Sequence, residues 1–316
     1  MEARLIEALS ALSAEEERIL VGEKIDKKIY SAGEDFVISD RRLGASGGIS
    51  VRTHTRFTPF PPHKHSYTEM MIVLSGSITH EIGGAELKLL PGDILFLNKH
   101  ISHSVKSCGK GDIGVNVILA DSLLNSLSAE LSGTVFSSLL KQNSLSDGEG
   151  MYLRFSCGGR RSAENLIENL LLELTGGSRD YMIMGRTVSL LLLYLSHNSD
   201  TLLTEGSTEL DKDTRREMQI SAYVKSEYRT ASLSELGKLL YLTPPYLSKL
   251  IKELFGKSFK ELVIEERISK AEALIAETDM QIGDVIRAVG YENESYFHRE
   301  FKKRTGKTPL ARRKNS

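Results

Sequence analysis

Between Gly48 and Leu119, short apolar runs alternate with turn signals. Met70-Met71-Ile72-Val73-Leu74, Ile94-Leu95-Phe96-Leu97 and Val115-Asn116-Val117-Ile118-Leu119 are set off by Ser75-Gly76, Gly83-Gly84, Pro91-Gly92-Asp93 and Gly109-Lys110-Gly111. Short strands at such regular spacing predict a β-sandwich or barrel. Helical periodicity lies on both sides. Leu5, Leu9 and Leu12 predict a short helix within residues 1–40, and Leu123, Leu124 and Leu127 open a helical stretch after the strands. A helix over Ala163 to Thr175 carries Leu166, Ile167, Leu170, Leu171 and Leu174 on one stripe. The next, Tyr181 to His197, is apolar on most sides, so it must be buried in a core or against a partner subunit. Asn198 to Asp213 has few anchoring apolar groups and reads as a linker.

The last third of the chain repeats itself. Residues 232–259 and 282–309 follow one design at an offset of fifty: Leu236 recurs as Ile286, Tyr241 as Tyr291, Tyr246 as Tyr296, Ile251 as Phe301, and Gly256-Lys257-Ser258 as Gly306-Lys307-Thr308. Each copy predicts an amphipathic helix, a tight turn and a second, basic helix, which is the helix-turn-helix pattern. In the first copy Ser234 to Leu240 supports, Thr243 caps, Pro244 takes the first helical position and Gly256 ends the second helix. Leu247, Leu250, Ile251 and Leu254 form its inward stripe. In the second copy Ile282 to Val289 supports, Gly290 turns, Asn293 caps, and Phe297 and Phe301 face inward. A long helix near Phe259 to Ala276 separates the copies and sets the distance between them.

Charge sharpens this picture. The net charge is −1, but from Lys212 onward there are 21 Lys and Arg against 15 Asp and Glu, while the remainder holds 20 against 27. A basic module on an acidic body suits one part that meets a polyanion and one that meets something else. Residues near the start of a recognition helix reach base edges, and basic groups nearer its end meet phosphates. Tyr246, Ser248, Lys249, Ser295, His298 and Arg299 are therefore the base-reading candidates. Lys252, Lys257, Lys302, Lys303 and Lys307 are the phosphate candidates. No apolar run approaches the roughly 18 residues of a membrane span, and the Glu-rich start is not a signal peptide. Cys108 and Cys157 give neither a disulfide framework nor zinc spacing. With no membrane partner, the expectation is a cytoplasmic protein.

Several ordered motifs carry a family resemblance. They are Tyr246-Leu247-Ser248-Lys249-Leu250-Ile251-Lys252, Gly256-Lys257-Ser258-Phe259, Arg267-Ile268-Ser269-Lys270-Ala271, Val289-Gly290-Tyr291, Ser295-Tyr296-Phe297-His298-Arg299 and Gly306-Lys307-Thr308-Pro309. Through them, residues 215–316 resemble the DNA-binding domain of the AraC/XylS family of bacterial transcription regulators. Two positions depart from that family. Leu310-Ala311-Arg312-Arg313 stands where an aromatic–Arg pair is usual, and Pro244-Pro245 opens the first recognition helix.

His63-Lys64-His65, Glu69, Gly76, Pro91-Gly92-Asp93 and His103 resemble the two cupin motifs, although no Asn follows His103 at the usual spacing and Lys99-His100 stands where proline is common. In metal-using cupins the positions matching His63, His65, Glu69 and His103 bind one divalent ion. On a strand His63 and His65 project to one face, and imidazole plus carboxylate suits Fe, Mn, Ni or Zn. The same four residues can instead line a pocket that hydrogen-bonds an organic effector. His54, His80 and His100 read as surface or strand-edge groups.

The expected architecture is multi-domain α+β: a cupin-like effector-binding β-barrel over 1–120, a helical dimerisation or connector segment over 121–205, and an all-α double helix-turn-helix DNA-binding domain over 206–316. The resemblance implies a non-enzymatic regulator that needs no cofactor, with a divalent metal as an option. Its implied partners are promoter DNA, a sugar or other metabolite as effector, a second copy of the chain in a homodimer, and RNA polymerase. Effector binding acts by shifting the helical segment or the linker, which requires different affinities for two arrangements. The competing expectation is a metal-dependent cupin enzyme fused to a DNA-tethering module.

Overall fold

A computed structural model describes residues 3–31, 36–39, 48–175, 180–204 and 212–313. They fall into two compact units, Met1–Leu210 and Asp211–Ser316.

The first unit opens with α1 (Ala3–Leu9), α2 (Ala14–Leu20) and α3 (Lys27–Tyr30). The strands β1 (Val37–Ile38), β2 (Ile49–Thr53), β3 (Phe60–His65), β4 (Thr68–Ser75), β5 (Ile78–Ile82), β6 (Ala85–Leu89), β7 (Asp93–Leu97), β8 (His103–Val105) and β9 (Ile113–Leu119) follow. Then come α4 (Asp121–Ser126), α5 (Phe136–Ser144), β10 (Tyr152–Ser156), α6 (Arg161–Thr175), α7 (Tyr181–His197) and α8 (Ser199–Leu202). Two five-stranded sheets result, ordered β1-β3-β8-β5-β6 and β10-β7-β4-β9-β2. Their pairings are antiparallel except for β1 with β3. Phe60, Ile78, Leu89 and Val105 from one sheet pack with Met71, Val73, Leu95, Leu97 and Ile118 from the other, so the core lies between the sheets. This is the cupin-like barrel, and the patterned runs at 70–74, 94–97 and 115–119 sit inside its strands.

Glycine closes the barrel where no side chain fits. Gly76 has φ 67°, and a Cβ there would lie 2.2 Å from Asp112 Oδ1. That carboxylate must come close, because it accepts from the Ser77 and Gly109 N–H groups.

The segment after residue 120 is helical but not wholly so. β10 pairs with β7 from Tyr152↔Leu97 to Ser156↔Asp93, so the chain re-enters the sheet it was expected to have left. The expected linker also begins later than its composition suggests. Residues 199–202 are helical, Leu202 is buried, and Leu203 bridges Phe155, while residues 205–211 lie outside those described. A polar sequence concealed these two anchors.

A buried ion pair ties α2 to the barrel. Arg56 meets both oxygens of Glu16, Nε to Oε1 at 2.7 Å and Nη2 to Oε2 at 3.0 Å. Nη2 also donates to the carbonyls of Ser10 and Ala11, and Nη1 donates to that of Lys110, so the buried guanidinium is engaged through all three of its nitrogens. Burial alone would raise the Glu16 pKa, but the hydrogen bonds from Arg56 and from the backbone outweigh it and hold the carboxyl below its usual range.

The second unit contains α9 (Lys212–Glu227), α10 (Leu233–Leu240), α11 (Pro244–Phe255), α12 (Phe259–Glu277), α13 (Ile282–Ala288), α14 (Glu294–Thr305) and α15 (Pro309–Arg313). It has two cores. Ile220 of α9, Leu236, Leu247, Leu250 and Ile251 form one, with Phe259 and Leu262 packed against it. Ile264, Ile268, Ala271 and Ile275 of α12 join Val285, Ile286, Tyr291, Phe297 and Phe301 in the other. The spacer α12 therefore belongs to both cores. A Ser258–Glu261 capping box starts it.

Candidate functional site

Two sites stand out, one in each unit. In the second, α10–α11 and α13–α14 are the two helix-turn-helix copies. Pro244 occupies the first turn of α11, and Gly256 ends it in the left-handed conformation at φ 67°. Asn293 caps α14 by accepting from Tyr296 N–H, and Gly306 ends it at φ 73°. Thr243 stands at the cap position of α11, but its side chain makes no capping bond. The turns differ between the copies. Tyr241 is left-handed in the first at φ 56°, whereas Gly290 takes that role in the second at φ 84°. A Cβ on Gly290 would come within 2.7 Å of the Arg229 carbonyl oxygen, so glycine is required there.

With Leu247, Leu250, Ile251, Phe297 and Phe301 buried, both recognition helices turn their polar sides outward. Tyr246, Ser248, Lys249, Lys252 and Lys257 in the first copy are all exposed, as are Ser295, His298, Arg299, Lys302, Lys303 and Lys307 in the second. Arg299 leans on the Tyr296 ring, its Cζ 5.1 Å from the centroid. Lys257 is engaged by Glu265 at 2.9 Å, and Lys249 lies 3.6 Å from Glu253.

In the first unit the strands bring the histidines together. After an irregularity between Phe60 and His63, the end of β3 alternates, which turns His63 and His65 inward and Lys64 outward. His63 pairs in register with His103 of β8, and Glu69 of β4 lies opposite Ile118 on the facing sheet. One ligand atom from each of His63, His65, Glu69 and His103 falls within 4.8 Å of the others, and all four residues are buried. His63 Nδ1 lies 2.9 Å from the Pro61 carbonyl, so this nitrogen carries the proton and Nε2 keeps its lone pair. His65 Nε2 and His103 Nε2 lie 2.7 and 3.8 Å from Glu69 Oε2, yet neither makes an aligned hydrogen bond.

Burial dominates the electrostatics. It pushes the His54 pKa down to about 4 and those of His63 and His80 to about 3, and it holds His103 well below the ordinary value. Burial would raise the Glu69 pKa, but the surrounding imidazoles, His65 foremost, bring it down to about 2. At neutral pH His63 and His103 are thus neutral imidazoles and Glu69 a carboxylate, and these groups converge with the His65 ring on a common space. That donor set fits a divalent cation: three imidazoles and a carboxylate, with both His65 ring nitrogens and His103 Nε2 buried and without a hydrogen-bond partner. The enclosed space is about 30 Å³, room for one or two water-sized groups, inside an open hollow of about 450 Å³ that includes solvent at its mouth.

Two family models match the chain. One, described as "Helix-turn-helix domain", covers residues 236–315, and the other, described as "Cupin domain", covers residues 54–118. The chain thus carries a helix-turn-helix domain and a cupin domain, the make-up of an AraC-type transcription regulator. Over 78 residues it is 40% identical to the uncharacterized HTH-type transcriptional regulator YtdP of Bacillus subtilis strain 168, a match covering 25% of this chain and 10% of that protein. It is 22% identical over 259 residues to YobQ, an uncharacterized HTH-type transcriptional regulator of the same strain, covering 82% of this chain and 90% of the relative. It is 23% identical over 283 residues to the HTH-type transcriptional activator RhaR of Escherichia coli O139:H28 strain E24377A, covering 87% of this chain and 93% of the relative.

The regulator departs from the sequence expectation at three histidines. His80 is fully buried and His54 nearly so, and the His80 Nδ1 lies 3.0 Å from the His103 Nδ1 with the two rings stacked. His100 is partly buried, with its Nε2 enclosed and unpartnered. None of the three is a surface group. For His80 the signal was present, since Ile78 and Ile82 flank it at the spacing that shares a strand face. Helix α9 closes the first core of the second unit with Ile220. Cys108 and Cys157 are buried free thiols whose pKa burial pushes up to about 11 and about 12. Among the described residues no helix is long and apolar enough to cross a membrane.

Proposed function

We propose that the regulator reads promoter DNA with α11 and α14 and senses a small effector in the cupin hollow, without catalysing a reaction. The observation that carries this is the outward display of nine polar and basic side chains on two recognition helices, with Lys257 and Lys307 just past their ends, while the helices' apolar faces pack into two cores joined by one helix. Tyr246, Ser248, Lys249, Ser295, His298 and Arg299 take base edges, and Lys252, Lys257, Lys302, Lys303 and Lys307 take phosphates.

In this reading His63, His65, Glu69 and His103 would hold a divalent metal, which would supply Lewis acidity toward an effector oxygen. The chain's own residues do the rest: Glu69 balances charge, the Pro61 carbonyl fixes the His63 tautomer, and His80 orients His103. Regulator relatives favour sensing over turnover.

The regulator pairs with a second copy through α7. Ile183 and Leu190 are exposed on that helix, and with Arg186 and Leu193 they run at three- and four-residue spacing along a stripe that the first unit's core does not use.

The test is genome-wide footprinting of the full chain, followed by gel shifts on recovered sites with and without metal chelation. Protection of two adjacent major-groove segments on one face of the duplex is expected. Failure to recover any protected site, or equal affinity for recovered and random DNA, overturns the reading.

A further inference from the structure

Among the described residues one charge in the cupin hollow has no ion-pair counterpart. Arg52 of β2 lies opposite Asn116 of β9, and Glu69 lies opposite Ile118, so Arg52, Asn116 and Glu69 share the inner face of the sheet. Arg52 and Asn116 both line the hollow. The Arg52 guanidinium sits over the buried Tyr30 ring, its Cζ 5.1 Å from the ring centre, and Tyr30 donates its hydroxyl to Glu15. Among the described residues no carboxylate or carbonyl pairs with Arg52. This contrasts with Arg56, four residues on, which is saturated by Glu16 and three carbonyls. A guanidinium does not lose its proton, and stacking on a ring occupies its face while leaving its edge of N–H groups unspent. The Asn116 amide oxygen is also buried without a partner.

We propose that the hollow selects a small hydroxy-carboxylic acid, whose carboxylate takes the Arg52 fork and whose hydroxyl meets the Asn116 amide. The proposal rests on the hollow being the effector site. A planar carboxylate matches the guanidinium edge with two parallel hydrogen bonds, whereas a neutral polyol leaves the charge uncompensated. Among the described residues the only other charged side chain lining the hollow is Glu69, which is turned to the imidazoles. The enclosed space of about 30 Å³ admits the head of such an acid, and the rest of the molecule extends toward the open mouth.

Calorimetric titration of the full-length protein with L-lactate, L-malate and galactonate, against the neutral controls L-lactamide and galactose, tests this. The acids should bind at least tenfold more tightly than the controls. Arg52→Gln should remove at least tenfold of that affinity without changing the circular dichroism spectrum, and Arg52→Lys should restore part of it. Galactose binding as tightly as galactonate, or an unchanged acid affinity in Arg52→Gln, overturns the proposal while leaving the hollow as effector site. Absence of binding by every probe also overturns it. If zinc too leaves the melting temperature unchanged, the sensing assignment of the hollow falls with it.

Discussion

The salt dependence of DNA binding provides a direct measure of how the two helices divide their work. Lys252, Lys257, Lys302, Lys303 and Lys307 are exposed at or beyond the carboxyl-terminal halves of α11 and α14. Each phosphate neutralised on B-form DNA contributes about −0.9 to the slope of log affinity against log salt. Five contacts predict a slope of about −4.5, so raising salt from about 50 to about 200 mM should weaken binding by roughly 500-fold. The five are not equivalent. Lys257 starts from an ion pair with Glu265, and moving to a phosphate strands that carboxylate, so Lys257→Ala should have the smallest effect. Lys252→Ala, Lys302→Ala, Lys303→Ala and Lys307→Ala should each flatten the slope by about 0.9 and weaken specific and random duplexes alike. Arg299→Ala should behave differently, losing about 1–3 kcal/mol of discrimination at one base pair. Fluorescence anisotropy on a footprinted site and a scrambled duplex, at several salt concentrations, reads both quantities. A wild-type slope in Lys252→Ala and Lys302→Ala, or an Arg299→Ala loss equal on both duplexes, refutes the division between phosphate and base contacts.

Removing Arg56 should destabilise the first unit by about 3–5 kcal/mol, because it leaves the Glu16 carboxylate buried and unpaired. Calorimetry should show a melting point lower by roughly 6–20 °C, much of it recovered in the double variant Arg56→Leu/Glu16→Leu, and an unchanged melting point would contradict this. The metal-free protein should lose stability as pH falls below about 6.5, since His54, His63, His80 and His103 stay neutral when folded and take protons when unfolded. Each contributes roughly 1.4 kcal/mol per pH unit until its folded pKa is reached. The chain has no tryptophan, so urea midpoints from circular dichroism are the measure, and a flat midpoint between pH 6.5 and 5 refutes the neutral cluster. His80→Phe keeps the ring volume but removes the nitrogen that faces His103, and should weaken cobalt or zinc binding by roughly 10–100-fold. Equal affinity would remove His80 from the site. Leu190→Glu should give a monomer in sedimentation at tens of micromolar if α7 pairs two copies, whereas a persistent dimer places the interface elsewhere.

Much of this molecule was legible before folding, and the boundary of legibility has a physical cause. The stripe Leu247, Leu250, Ile251 faces the core because helical spacing leaves it no other place. His63 and His65 face inward because two-residue spacing on a strand does the same. His80 obeyed that rule as well, but its polar character invited a surface assignment and outweighed its apolar neighbours. The Glu16–Arg56 pair joins residues forty apart, and only the packing of α2 on the barrel brings them together. β10 follows the two-residue rule as well, since Met151, Leu153, Phe155 and Cys157 are buried and Tyr152, Arg154 and Ser156 are not, whereas Leu203 meets Phe155 only through the fold.

Helix α12 holds its amino-terminal residues in one core and its middle and end in the other, so neither recognition helix can swing without disturbing both. Spanning nineteen residues, it acts as a ruler about 28 Å long. The operator inherits that stiffness. One base pair inserted between the two contacted segments turns the second groove by about 35° out of phase, and five present the wrong side of the duplex altogether. Sites for this regulator should therefore vary freely in the letters between their two contacted segments but hardly at all in the number of those letters.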